Sequence, residues 1–299
     1  MPAVKIDGSA IAAQIKDEVR KAAAVLLRER GIVPGLAFIL VGDDPASQVY
    51  VRSKGKACAE MGFFSVTERL PADAPERTVI ALIKGFAADP RIHGILVQTP
   101  LPAHFDEQRI VAAIPPGKDV DGFHPVNVGR LVLGQPSLRP CTPAGIQELL
   151  LRSGHDPSGK HVVVVGRSNL VGKPTANILM QKQRGANAVV TVAHTGAPDI
   201  RPYLREADVV IAAAGRPGFI TGEMLKPGCV VIDVGINRVP DEGAKSGYRL
   251  VGDVDFASAS EVAGAITPVP GGVGPMTIAM LMKNTLEAAS CNYALSSVS

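Results

Sequence analysis

The chain has 299 residues, 46% hydrophobic and 20% charged, which is apolar mass enough for two packed domains of ordinary size. A net charge of +3, with basic residues neither run together nor interleaved with stacking aromatics, argues against a nucleic-acid partner. Cys58, Cys141, Cys229 and Cys291 lie far apart with no C-x-x-C pair, and no segment resembles a signal core or approaches the ~20 apolar residues of a membrane span. These features point away from a zinc site, a disulfide frame and a membrane, and toward a reduced cytoplasmic protein.

Apolar side chains recur at helical spacing from Ile11 to Leu27, with Ser9 placed as a cap and Gly31 as a stop, so a helix is expected over 9–30. Leu36–Val41, between Gly35 and Gly42, suits a buried strand. The turn Gly42-Asp43-Asp44-Pro45 then opens a helix over 46–61, ended by Gly62. A strand at 64–70, a helix at 75–88 and a buried strand at 94–98 follow, the last cut off by Thr99-Pro100-Leu101-Pro102. Such alternation argues for a parallel sheet covered on both faces. From Pro115 to Pro143 glycine and proline are frequent and periodicity is lost, which predicts a long ordered connection. Thr142-Pro143 opens a helix to Arg152 that leads into a second unit.

The second unit begins with the strand Val162–Val165, turns through Gly166–Pro174 and continues as a helix to about Arg184. Strands are expected at 188–192, 209–213 and 230–234, a loose turn at 241–247, a short strand at 249–251, and a helix from Pro275 to about Ala289. The series is of the Rossmann type. A buried strand, a glycine turn and a helix N-terminus suit a phosphate, because backbone N–H groups and the helix dipole face it. Gly166 and Gly172 permit close approach, Ser168 lies inside the turn, and Arg167 adds a charged donor. The next strand ends Val192-Ala193-His194-Thr195-Gly196 without the carboxylate that would hold ribose hydroxyls, so NADP is expected over NAD. His194 is equally suited to touch a phosphate or to cap the loop.

In the first unit, Tyr50 and Lys54 are four apart, so a helix places them on one face where their polar tips can meet. Arg52 and Lys56 point elsewhere, into solvent. Gln98 ends a parallel strand, where such sheets place ligands, and its amide can hold a lysine amine, a water or the proline-rich turn behind it. In Lys118-Asp119-Val120-Asp121-Gly122-Phe123-His124-Pro125 too few carboxylates converge for a hard metal, so no metal is expected. Asp119 reads as a turn former, whereas Asp121 can pair with the two-donor edge of a guanidine-like heterocycle.

Six segments, in order, give the chain a resemblance that covers nearly its whole length. They are Tyr50-x-x-x-Lys54 running into Lys56-Ala57-Cys58, Val97-Gln98-x-Pro100-Leu101-Pro102, Lys118–Gly122, the turn from Gly166 to Pro174, Asp233-Val234-Gly235-Ile236-Asn237, and Pro270–Thr277. The chain resembles the bifunctional methylenetetrahydrofolate dehydrogenase/cyclohydrolases of one-carbon metabolism. That resemblance implies a folate-binding catalytic domain of residues 1–141 plus 272–299, an NADP domain of residues 142–271, a cleft between them, and a homodimer serving purine biosynthesis from the cytoplasm. It implies Lys54 as the base or proton shuttle, tuned by Tyr50 and Gln98, with Asp121 anchoring the pterin. Val97, Thr99, Pro270, Gly271, Gly272 and Gly274 would border the folate; Gly166, Arg167, Ser168, Thr195 and Ile236 would touch the cofactor. Thr99 stands where the family usually carries Leu, and Thr195 where Ser is frequent, which keeps the hydroxyl. Short-chain dehydrogenases also use Tyr-x-x-x-Lys, but their glycine turn precedes the Tyr, the reverse of the order here.

Overall fold

The structure is a computed structural model that describes residues 2–241, 243–244 and 247–291. It divides into two compact units, one of residues 13–141 with 278–291, the other of residues 2–12 with Thr142–Thr277.

β1 (Val4–Lys5) precedes the helix Gly8–Arg30. The strands β2 (Gly35–Val41), β3 (Phe64–Leu70) and β4 (Gly94–Val97) then form a parallel sheet in the order β3-β2-β4. β2 is central and buried along its whole length, as its unbroken apolar run requires. β3 alternates Phe64, Val66 and Leu70 with polar residues, the pattern of an edge strand half in the core. The helices Pro45–Glu60 and Glu76–Ala88 make the crossovers, and the second packs Val79 and Ile83 against Ile39, Ile95 and Ile110. Asp44 caps the first of these helices, its Oδ2 accepting the Ser47 N–H at 2.7 Å, and Gly62 turns the chain out of it at φ +71°.

The second unit carries β5 (His161–Val165), β6 (Val189–Ala193), β7 (Val209–Ala212), β8 (Val230–Asp233), β9 (Asn237–Pro240), β10 (Tyr248–Val251) and β11 (Ala265–Ile266). Six strands, every pair parallel, line up as β1-β11-β8-β7-β5-β6. The order reverses beside β5, the first strand of the Rossmann-type series, and places the loops after β5, β7 and β8 together at one end of the sheet. β9 and β10 form a separate antiparallel hairpin.

Residues 2–12 group by their contacts with the Rossmann-type unit, since β1 adds to the sheet beside β11, with Val4 opposite Ala265 and Lys5 opposite Ile266. A strand of two residues is too short for any periodicity to announce. Residues 272–277 group with the same unit; Gly272 sits so close to Gly8 that a side chain there would strike its carbonyl. The long ordered connection from Pro115 to Pro143 contains the helix Pro125–Val132, which its lost periodicity did not announce; the helix is capped by the His124 ring, whose Nδ1 accepts the Val126 N–H at 3.1 Å. Finally, the helix after the glycine turn spans Gly172–Leu179 and gives way to tight turns well before Arg184. Within the turn 241–247, residues 242, 245 and 246 lie outside the described residues, as do residues 292–299 at the end of the expected folate-binding domain.

Candidate active site

Lys54 lies on the buried face of the helix Pro45–Glu60, only 9% exposed, while Arg52 and Lys56 on other faces reach solvent. A buried ammonium needs an acceptor, and Gln98 supplies it, with Lys54 Nζ donating to Gln98 Oε1 at 3.0 Å. The amide's orientation is set by its other end. Gln98 Nε2 donates to the Thr99 carbonyl at 2.6 Å, which leaves only the oxygen to face the amine. Of the three partners open to Gln98 in the sequence, the amine and the turn behind it are therefore both held at once. The strand end is itself fixed by the Gln98 N–H, which donates to Ile39 C=O at 2.9 Å. Tyr50 behaves differently from expectation. Its side chain is 48% exposed, and its hydroxyl makes no hydrogen bond to Lys54 or to any other of the described residues. Residues four apart share a face, but the helix turns Lys54 toward the sheet and Tyr50 toward its rim.

Asp121 is presented by a loop that runs beside β4, through a parallel bridge between Ile95 and Asp119. Asp119 is the turn former the sequence suggests. Its Oδ1 accepts the Gly122 N–H at 3.2 Å, and its Oδ2 accepts the His124 N–H at 2.7 Å and Asn127 Nδ2 at 3.0 Å. From the other side Asn284 donates its amide to the carbonyls of Val120 and Arg139, both at 2.8 Å. Gly122, at φ +77°, abuts the backbone of Arg139 and Pro140 with no room for a side chain. The segment Val120–Gly122 is thus pinned on both sides of Asp121. Desolvation raises the Asp121 carboxyl above the usual carboxylate range, Lys54 pulls it back down, and Asp119 adds a smaller upward push. Lys54, Gln98 and Asp121 come together at the carboxyl end of this sheet as an amine, an amide and an acid.

In the other unit the expected cofactor residues gather at the carboxyl ends of β5, β6 and β8. Gly166 leaves β5 at φ +140°, against the Ala213 carbonyl, and Gly172 abuts the Gly166 carbonyl, so neither position accepts a side chain. Ser168 caps the following helix, its Oγ accepting the N–H groups of Val171 at 3.1 Å and Gly172 at 3.3 Å. Those helix amides are therefore already satisfied. The amides of residues 167–170 make no hydrogen bond among the described residues, and neither does the exposed Arg167 guanidinium. Free amides and an unpaired cation at the mouth of a glycine turn fit the phosphates of a dinucleotide. His194 acts as a loop residue, its Nδ1 accepting the Gly196 N–H at 3.1 Å, and Thr195 beside it is exposed. Arg167 approaches the same turn, where a side chain at Gly196 would come within 3.9 Å of its guanidinium. Ile236 projects from the loop after β8 at 51% exposure, with Gly274 of the Pro270–Gly274 loop facing it.

That loop is held by two buried acids. Asp233 accepts from the N–H groups of Gly235 at 2.9 Å, Asp253 at 2.9 Å and Val254 at 3.0 Å. Burial nonetheless pushes its carboxyl up to about 6, a rise the three N–H donors oppose and the Asp253 charge supports. No cluster of three or more His, Cys, Asp or Glu among the described residues could hold a metal ion.

Comparison with known proteins fits this site. Residues 6–121 match the catalytic-domain model of tetrahydrofolate dehydrogenase/cyclohydrolase, and residues 140–293 match its NAD(P)-binding-domain model. The chain belongs to the tetrahydrofolate dehydrogenase/cyclohydrolase family. It is 57% identical to a bifunctional FolD protein of Syntrophus aciditrophicus over 99% of this chain and 100% of that one. Among solved structures it resembles the bifunctional FolD enzyme of Campylobacter jejuni, with 46% identity, a TM-score of 0.90 and coverage of 96% and 99% of the two chains. It also resembles the Trypanosoma brucei enzyme in complex with NADP and an inhibitor, with 43% identity, a TM-score of 0.91 and coverage of 97% and 98%. As a member of this family the chain is an enzyme of two α/β domains, one of them dinucleotide-binding.

Sequence reading missed Asn284, Asn127 and Asp253 as builders of this family site, because a polar residue inside an apolar or loop pattern carries no partner's address. Replacing Asn284 by Ala should cost about 1–3 kcal/mol by urea denaturation, since the part-buried Arg139 carbonyl loses this donor and the Val120 carbonyl is left with the weaker Cys141 thiol. Asp233 has a native value of about 6 against 3.8 for the free group, so the native state holds more protons between those values. Stability should then fall as pH rises from about 4 through 6, by up to about 3 kcal/mol, and the Asp233→Asn protein should show a flatter profile over that window.

Proposed function

We propose that the chain oxidises 5,10-methylenetetrahydrofolate to the 5,10-methenyl form with NADP and hydrolyses the product to 10-formyltetrahydrofolate. The observation that carries this reading is the buried Lys54–Gln98 pair beside Asp121, in a chain whose other unit carries an unpaired arginine and free amides at a glycine turn. NADP, when bound, takes the hydride from the methylene carbon. Arg167 and Thr195 suit the 2′-phosphate of NADP, with no carboxylate at the end of β6 to favour NAD. Gly166, Ser168 and Ile236 complete the cofactor contacts.

Loss of the hydride leaves a cation shared by two nitrogens, held through the pterin by Asp121 with its two oxygens on the two-donor edge. Val97, Thr99, Pro270, Gly271, Gly272 and Gly274 border the folate, and Tyr50 contacts it with its ring. Lys54 acts as the base for the water that adds to the cation carbon; the bond from that carbon to N5 then breaks, N5 gaining a proton as the new hydroxyl loses one, which gives the 10-formyl product. Gln98 Oε1 orients the amine throughout. A homodimer working in the cytoplasm, with its product consumed in purine biosynthesis, completes the proposal; no helix among the described residues is long and apolar enough to cross a membrane.

The test follows reduction of NADP and of NAD in parallel at the nicotinamide absorbance band with methylenetetrahydrofolate, then analyses the product for the 10-formyl species. Lys54→Met should lower hydrolysis at least about 100-fold while NADP binding survives, within the range of a general base. A variant that still hydrolyses the methenyl substrate at the wild-type rate would remove Lys54 from the mechanism.

A further inference from the structure

Asp253 is fully buried and has no part in the chemistry above, yet it is hydrogen-bonded to both the loop after β7 and the start of β9, beside Ile236. Its Oδ2 accepts the N–H of Gly215, in the exposed loop after β7, at 2.7 Å. Its Oδ1 accepts Asn237 Nδ2 at 2.9 Å, at the start of β9. Its own N–H donates to Asp233 Oδ1, and its carbonyl accepts from Ile220 N at 3.0 Å. Gly235 packs so tightly on the Asp253 carboxylate that no side chain fits, and Gly252 packs likewise on Asp233. The two residues flanking Ile236 are therefore fixed, Gly235 by Asp233 and Asn237 by Asp253. Ile236 itself stands out at 51% exposure.

We infer that Asp253 is a positioning residue for the dinucleotide, holding the Gly215 and Ile236 loops in the spacing the bound cofactor needs. This rests on the reading that Ile236 borders the cofactor. An ionised acceptor suits the task because one carboxylate takes hydrogen bonds from two loops at once, and such bonds are stronger than neutral ones. A neutral amide of the same shape keeps the Gly215 contact only by presenting its NH₂ group to Asn237, whose own amide must then turn over and give up the Val251 carbonyl.

The two activities of the enzyme separate this role from general support of the fold. Hydrolysis of the methenyl substrate consumes no dinucleotide. The experiment compares full-length wild type, Asp253→Asn and Asn237→Ala for NADP affinity by calorimetry, KM for NADP, and the rate of methenyltetrahydrofolate hydrolysis without NADP. For Asp253→Asn the expected result is an NADP Kd and KM raised about tenfold, the scale of one lost charged hydrogen bond, with hydrolysis within about twofold of wild type. Asn237→Ala, which removes one of the two donors, should raise the NADP Kd about threefold. Should Asp253→Asn fail to fold, Asn237→Ala decides the matter. An unchanged NADP Kd in the folded variants would overturn the inference, as would hydrolysis falling in step with NADP affinity. The functional reading fails separately, if the wild-type protein neither reduces NADP with methylenetetrahydrofolate nor hydrolyses the methenyl form.

Discussion

Gln98 is the constraint on which the folate side depends. One primary amide spans a backbone carbonyl at 2.6 Å and a buried amine at 3.0 Å, and it cannot be turned over without losing both contacts. The Thr99 carbonyl therefore determines which end of the amide Lys54 meets. An amine taken out of water needs such an acceptor more than a surface lysine does, because its lost hydration has to be replaced. The strand end supplies the acceptor, the helix Pro45–Glu60 supplies the amine, and the packing of that helix on β2 and β3 sets their separation.

The two units solve a shared problem with different means. Each must aim one side chain from an irregular loop, and each does so by burying polar groups beneath it rather than by stiffening the loop with regular structure. Under Asp121 the tools are Asp119 and Asn284; under Ile236 they are Asp233 and Asp253. Glycines at 122, 235 and 252 let the backbones approach closely enough for those short side chains to reach. Buried polar networks of this kind are costly when incomplete, which favours one geometry for each loop.

The buried strands β2, β4 and β5 are legible because a short unbroken apolar run stopped by a glycine or a proline-rich turn has few other uses, and the helices around them follow from cap and stop residues. Lys54, Gln98 and Asp121 could be singled out by residue type and place. Their joining could not, since Gln98 had three plausible partners and only the fold shows that it takes both the amine and the turn. Tyr50 shows the converse limit, as helical spacing brings two residues to one face without fixing how far each reaches toward solvent. β1 was illegible for lack of length, and the helix Pro125–Val132 because its proline and glycine content hides a periodicity of barely two turns.

The amide of Asn284 closes on carbonyls 164 and 145 residues earlier in the chain. During synthesis the Val120–Gly122 segment therefore emerges long before its second clamp exists, and Asp121 is held from the Asp119 side alone until the helix Val273–Ser290 has been made. Contacts of such sequence separation form late and as a unit. A chain that ends before Asn284 lacks the second clamp altogether.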